Sequence, residues 1–257
     1  MSENVIFCFS GTGNCLDLAK NIAKGLGDTD IVLMKRELAR TDVTDAKRVG
    51  FVVPCFGGGA PVDVLNYART IRIAPDAYTF AVSSSSSYPG TGLYELNKIV
   101  PLRYWKTVKH QCSCIWLFPH DMLESVEKSQ AQSEADARTI AEEVKTRTVI
   151  GKLPPNNPLN AAENKAWGKM AAKKAKSFEV SRACTGCGTC AKLCPRGNIT
   201  ILGNHAVIGY DCVGCLSCLQ FCPEKAISMG KITEKRDHYH TPNVTAADLM
   251  ETLIHID

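Results

Sequence analysis

Apolar residues along the first 150 positions fall into short continuous runs that alternate with longer periodic ones. Residues 4–9 (NVIFCF) read as a first strand, and residues 16–26 as a helix with Leu16, Ala19, Ala23 and Leu26 along one face. Residues 30–34 predict a short second strand. Residues 49–53 predict a third, apolar throughout, as a strand covered on both faces should be. A fourth strand is placed at 77–82 and a fifth at 112–118, where Cys112, Cys114 and Trp116 would share one face at period two. Helices are expected over 62–68, around 93–99 and over 133–145. The alternation predicts a doubly wound α/β domain with a five-stranded parallel sheet.

The pattern breaks at residues 153–158, which hold three prolines and two asparagines. Residues 161–176 then read as a basic helix, with Ala162, Ala166, Met170 and Lys173 at helical spacing and five lysines in the span. Two readings stand for it: an amphipathic connector with solvated lysines, or a docking surface for an acidic redox partner. At the C-terminal end, residues 246–256 form an amphipathic segment expected to pack on one of the domains. Four parts result: an α/β domain over 1–152, a linker with basic helix over 153–176, a cysteine-rich domain over 177–230, and a tail over 231–257.

Composition narrows the class. With 45% hydrophobic and 22% charged residues the chain is of the globular type, and no run of 18 apolar residues offers a membrane span. The N-terminus lacks the ordered basic, apolar and small-residue regions of a signal peptide, so a cytoplasmic location is expected. A net charge of +4 does not call for nucleic acid. The thirteen cysteines are the outlier. Eight lie between residues 184 and 222 at metal-ligand spacing, which favours free thiols in a reducing compartment over a secreted disulfide framework.

Those eight cysteines form an internal repeat, with Cys184, Cys187, Cys190 and Cys194 recurring as Cys212, Cys215, Cys218 and Cys222. Each unit spaces its cysteines by two, two and three residues and closes with a proline, Pro195 or Pro223. Iron in a cubane cluster takes soft thiolate donors, and a tight loop can deliver three of them to one cluster. Structural zinc sites also take four cysteines, but zinc ribbons rarely repeat this spacing with its trailing proline. The segment resembles two-cluster bacterial ferredoxins, a small α+β fold. That resemblance implies one 4Fe-4S cluster on Cys184, Cys187, Cys190 and Cys222, and a second on Cys212, Cys215, Cys218 and Cys194. Gly186 and Gly214 would let backbone N–H groups approach the sulfides. Leu193, Ile199, Ile201, Leu216, Phe221, Ile227 and Met229 would wrap the clusters, and cluster loss should unfold so small a domain.

Between the first strand and first helix lie Ser10, Gly11, Thr12, Gly13, Asn14 and Cys15, small residues whose backbone N–H groups can cradle a phosphate. Leu16 stands where a dinucleotide fingerprint needs glycine, and no lysine follows as an ATPase loop requires. An empty anion site at a tight turn is the plain alternative. The loop resembles the flavodoxin family's phosphate loop, with Cys15 departing from the usual hydroxyl. This implies FMN. The resemblance also implies a ring site beside Pro54, Cys55, Phe56, Gly57 and Gly58, with Gly57 or Gly58 presenting a carbonyl toward flavin N5. Ser83, Ser84, Ser85, Ser86, Tyr88 and Gly90 would meet the pyrimidine edge and stack on the ring. Cys8, Cys112 and Cys114 read as small buried hydrophobes.

The whole chain resembles the fused flavodoxin-ferredoxin proteins of anaerobes, the EFR1-type family ferredoxins. Pro119, His120 and Asp121 correspond loosely to a proline-rich polar segment there, and no residue is assigned a catalytic role. The resemblance implies an electron-transfer flavo-iron-sulfur protein relaying electrons between two 4Fe-4S clusters, FMN and an external redox partner. The alternatives are an FMN-dependent oxidoreductase that reduces a small molecule, and a non-flavin iron-sulfur protein whose first domain binds a partner. A redox-protein donor or acceptor is the expected partner. A small-molecule substrate and a homodimer both stay open.

Overall fold

The computed structural model describes residues 2–37, 39–117 and 126–257. Phe118, the end of the predicted fifth strand, and Pro119, His120 and Asp121 lie outside the described residues. The main sheet contains β1 (Asn4–Cys8), β2 (Thr29–Leu33), β4 (Arg48–Pro54), β6 (Tyr78–Ser85), β7 (Tyr104–Lys109) and β12 (Leu253–Ile256). Their order is β12-β2-β1-β4-β6-β7. The first five are mutually parallel, and β12 runs antiparallel against β2. A two-residue pair, β3 (Asp42–Val43) with β5 (Arg72–Ile73), sits apart from it.

Alternation along β1 sets the two layers. Ile6 and Cys8 face a core with Leu16, Leu18 and Ile22 of α1 (Asn14–Leu26) and Ala137 and Ile140 of α4 (Val126–Lys145). Val5 and Phe7 face the opposite core with Phe51, Val64 of α2 (Val62–Ala68), and Leu93 and Leu96 of α3 (Gly92–Asn97). Phe7 and Phe51 stack across neighbouring strands at 5.5 Å. Winding reverses between β1 and β4, so the loops after these strands part at the sheet's C-terminal edge and leave a crevice.

Several predicted elements shift. The fifth parallel strand is β7, not residues 112–118; residues 110–114 have no regular structure and 115–117 form a turn. An edge strand tolerates polar outward positions, so Lys106, Thr107 and Lys109 hid β7 from a search for apolar runs. The fourth strand extends through Ser83, Ser84 and Ser85, all buried; Ser83 and Ser84 pair with both β4 and β7, and Ser85 with β7. Residues 246–256 divide into α8 (Ala246–Met250), closed by a Thr245–Asp248 capping box, and the sixth strand β12.

The linker helix α5 (Pro158–Ala175) starts where Asn157 caps it, its side chain accepting from the Leu159 N–H. It packs through Asn164, Trp167, Met170, Ala171 and Ala175; of the four residues noted at helical spacing Met170 packs, whereas Ala162, Ala166 and Lys173 are exposed. The cysteine-rich part contains β8 (Glu179–Val180) paired with β11 (Ile227–Ser228), the hairpin β9 (Ile199–Leu202) and β10 (His205–Ile208), and the short helices α6 (Thr189–Leu193) and α7 (Ser217–Gln220). Its apolar side chains are shared with the sheet domain. Leu193 and Phe221 join the α1–α4 core, Val213 joins the opposite core, and Ile115 and Trp116 complete a third cluster with Ile199, Leu216, Ile227 and Met229.

Candidate functional site

The crevice at the C-terminal edge is lined by three loops foreseen from sequence and holds a cavity of about 210 Å³. Ser10, Gly11, Thr12, Asn14 and Cys15 line it, as do Pro54, Cys55, Phe56, Gly57 and Gly58, and Ser84, Ser85, Ser86 and Tyr88. Three expected residues do not. A Cβ on Gly13 would run into Thr241 and Val244 of the tail, Ser83 is buried within β6, and Gly90 folds beneath Gly58 and Cys55. The crevice gains walls that the sequence did not reveal: His110, Gln111, Cys112 and Cys114 after β7, Glu163 and Trp167 of α5, and Gly214, Cys215 and Leu216. Placing the fifth strand correctly would have found the first group, whereas α5 carries no such signal.

At the first loop, Ser10 Oγ accepts from the Leu16 N–H at 3.3 Å. The N-cap residue of α1, Gly13, has no side chain to bond the N–H groups that begin the helix, and those not taken by Ser10 are left for an anion. Asn14 is not among the groups left for an anion. Its Nδ2 donates to the Gln111 carbonyl at 3.0 Å, and its Oδ1 accepts from the Tyr239 hydroxyl at 2.9 Å. The Thr12 carbonyl accepts from the Thr241 N–H at 2.9 Å, so the tail clasps the loop. Burial pushes the Cys15 thiol up to about 12, against a Ser84 hydrogen bond that lowers it, and keeps it protonated.

The second loop is closed by mutual hydrogen bonds between Phe56 and Gly59. The Gly58 carbonyl accepts from the Thr91 N–H at 2.8 Å, whereas Gly57 turns with φ 52°. Phe56 packs edge-on to Phe9 at 6.3 Å and against Trp167 at 5.8 Å, which in turn meets Trp116 at 5.2 Å. Tyr88 remains 40% exposed, with its hydroxyl 2.7 Å from both oxygens of Glu163. Burial, then Glu163, pushes the Tyr88 phenol to about 12. Cys55 rises to about 11, chiefly through burial.

Beneath the crevice, His110 lies between two hydroxyls, with Nδ1 3.0 Å from Ser84 Oγ and Nε2 2.7 Å from Ser133 Oγ. Burial pulls its pKa down to about 4 and holds the imidazole neutral. The Gln111 N–H donates to Ser129 Oγ at 2.9 Å. Both polar atoms of the Gln111 carboxamide are buried and have no partner among the described residues.

The eight repeat cysteines border two separate small cavities. Cys194, Cys212, Cys215 and Cys218 line one, and Cys184, Cys187, Cys190 and Cys222 line the other. The repeat also aims backbone at sulfur: the N–H groups of Asn198, Gly214 and Ala226 donate to Cys194, Cys212 and Cys222, each at 3.3 Å. Cys187 is exposed. Among the described residues, no group of three or more His, Cys, Asp or Glu is placed to hold a single metal ion. A four-iron cluster makes a different demand, because each thiolate takes its own iron at the cluster's periphery.

Residues 176–223 match the family model described as a 4Fe-4S dicluster domain. The chain joins a flavodoxin-like fold to a 4Fe-4S ferredoxin-type domain. Similar solved structures include a flavodoxin from Streptococcus pneumoniae TIGR4, at 15% identity over 55% of this chain and 98% of that one, with a TM-score of 0.38. A flavoprotein in complex with FMN from Lactobacillus acidophilus NCFM has 11% identity over 42% of this chain and 93% of that one, with a TM-score of 0.34. An NAD(P)H:quinone oxidoreductase from Methanothermobacter marburgensis has 8% identity over 61% of this chain and 100% of that one, with a TM-score of 0.36. No curated protein matches the chain. No helix among the described residues is long and apolar enough to cross a membrane.

Proposed function

We propose that this flavodoxin-ferredoxin chain, of the EFR1 type, relays electrons between two 4Fe-4S clusters, FMN and an external redox protein. The observation that carries the reading is a shared wall: Cys215 and Leu216 line both the crevice and the cavity bordered by Cys194, Cys212, Cys215 and Cys218. A cofactor in either space would have the same short segment as its neighbour.

The donor sets fit the two groups. Eight thiols in two fours, approached by backbone N–H groups, suit cubane clusters, since such hydrogen bonds tune the potential. Ser10, Gly11, Thr12 and the free N–H groups that begin α1 suit a phosphate. The loops at 55–58 and 84–88 would flank a ring. FMN bound there would supply an exchange of one or two electrons. Exposed Cys187 puts the other cavity at the surface, where an external redox protein would meet it. Reduction of a small molecule has less support, because no residue of the crevice is assigned a catalytic role.

The test uses the full chain, loaded with iron, sulfide and FMN, mixed anaerobically with a cluster reductant in a stopped-flow spectrometer. Cluster bleaching followed by first-order flavin reduction at a rate independent of protein concentration is expected. A flavin rate that scales with protein concentration would mean that the domains exchange electrons only between molecules, and the relay would be withdrawn.

A further inference from the structure

Residues 158–176, which are α5 and the lysine that follows it, hold five lysines and one glutamate, a net charge of +4. The whole chain also carries +4, so the remaining residues balance and the excess positive charge sits on this one helix. Packing divides the helix into two faces. Asn164, Trp167, Ala171 and Ala175 turn inward, whereas Lys165, Lys169 and Lys173 are exposed on successive turns. At four-residue spacing these three ammonium groups crowd one side of the helix, where like charges repel. None of the three has an ion pair among the described residues. Glu163, the only acid of the helix, is committed to the Tyr88 hydroxyl at 2.7 Å. Lys174 and Lys176 lie over the Trp116 and Tyr210 rings, each at 5.8 Å.

We infer that the outer face of α5, built on Lys165, Lys169 and Lys173, is the docking surface for an acidic redox protein, an inference that rests on the cluster reading above. The inner face supplies the reason for a redox partner. Trp167 lines the crevice, and its Nε1 donates to the Val213 carbonyl at 3.4 Å. A Cβ on Gly214 would lie 3.1 Å from the Ala171 side chain, and the Gly214 N–H donates to Cys212 Sγ. Asn164 fastens the helix to the second crevice loop, its Nδ2 donating to the Phe56 carbonyl at 2.6 Å and the Ala60 carbonyl at 3.2 Å. A protein seated on the lysines is therefore separated from the crevice and from the loop of Cys212 and Cys215 by little more than one helix, about 10 Å across. Charge complementarity names the partner's chemistry, since a row of unanswered ammonium groups steers and orients a carboxylate-rich surface. Other polyanions fit less well. Leu159 is the one large apolar side chain exposed on α5, too little to enter lipid. The helix's aromatic residue, Trp167, packs against Phe56 and Trp116 and is not offered to a nucleic-acid base. The α5 face serves the cavity bordered by Cys194, Cys212, Cys215 and Cys218, as exposed Cys187 serves the other, which gives the relay two ends.

In the experiment the full chain, loaded with iron, sulfide and FMN, is reduced with dithionite, freed of excess reductant and mixed anaerobically with an oxidised, acidic blue-copper protein. Loss of the copper colour gives a second-order rate at low and moderate salt. Wild type is compared with the triple variant Lys165→Gln, Lys169→Gln, Lys173→Gln, and with a control triple, Lys47→Gln, Arg72→Gln, Lys98→Gln. The control removes the same charge from exposed side chains away from the crevice. At low salt the α5 triple is expected to react about tenfold more slowly than wild type and to lose most of the salt dependence, while the control stays within about twofold. All three proteins should reduce uncharged benzoquinone equally. Equal slowing of both triples would mean that net charge alone sets the rate, and would overturn the docking face. A slower benzoquinone reaction in the α5 triple would overturn it by placing the effect in the cofactors. A wild-type copper rate in the α5 triple would do so too, and loss of binding to a single-stranded oligonucleotide or to anionic vesicles in that variant would then reassign the lysines. A wild-type chain that takes up no electrons from dithionite has no working cluster, and that failure of the underlying reading shows before any acceptor is added.

Discussion

The Ser217 hydroxyl donates a buried 2.7 Å hydrogen bond to the Gly11 carbonyl, tying the second cysteine loop to the loop after β1. Gly11 has no room for more: a Cβ there would collide with the Cys215 carbonyl oxygen. Gly11→Ala should therefore force the two loops apart. We expect flavin retention through gel filtration to fall and flavin reduction to slow, while iron content stays at the wild-type level. Ser217→Ala, which removes only the bond, should lower stability by about 1 kcal/mol. Wild-type flavin retention in Gly11→Ala would show that the loops do not depend on this contact.

Arg196, one residue after Pro195, reaches across to Asp63 in the first turn of α2. Its Nε is 3.1 Å from each carboxylate oxygen, and it also pairs with Asp211 at 2.6 Å. The Asp63 and Arg196 side chains are only 15% and 21% exposed, so salt should screen the bond weakly. Asp63→Asn and Arg196→Gln should each destabilise the chain by about 1 to 3 kcal/mol. A double-mutant cycle by chemical denaturation should return a coupling of the same sign at low and moderate salt. Additive single effects would mean that Asp211 alone engages the guanidinium.

His110 gives the fold a pH dependence. Its folded pKa of about 4 lies below the unfolded value near 6.5, so the unfolded chain binds the extra proton as pH falls between them. Stability from the neutral imidazole is complete above about pH 6.5 and declines toward pH 4. Among the described residues only hydroxyls, those of Ser84 and Ser133, bond the ring. His110→Gln should consequently lose less melting temperature than wild type between pH 7.5 and 5.5. Parallel losses in the two proteins would place the acid sensitivity elsewhere.

The strand β12 covers the edge of β2, pairing Ile254 with Ile31 and Ile256 with Thr29, and the Leu33 N–H donates to the Thr252 carbonyl. Ending the chain after Met250 uncovers that edge, an open row of backbone groups ready to pair with another chain. We expect a lower melting temperature and concentration-dependent association by light scattering. A monodisperse truncated chain with wild-type melting would show that β12 is dispensable.

How much of this was legible in the chain depends on the range of the signal. The twofold cysteine repeat, its trailing prolines and the small-residue loop at 10–15 are local patterns, and the chemistry of thiolate and phosphate ligation reads directly from them. The two fours of cysteines set apart by the repeat and the ferredoxin resemblance are the two that line separate cavities. Buried strands such as β1 and β4 were equally plain, because a strand covered on both faces must be apolar throughout. The edge strand β7 and the serine-bearing end of β6 were not, since sheet pairing rather than hydropathy holds them. Only the tertiary structure could bring Trp167 and Glu163 of α5 to the crevice wall, set Cys215 against Gly11 and lay β12 on β2. Periodicity reports which face of an element is covered. It carries no record of what covers it, because that contact is made between residues a hundred or more positions apart and is settled by packing alone.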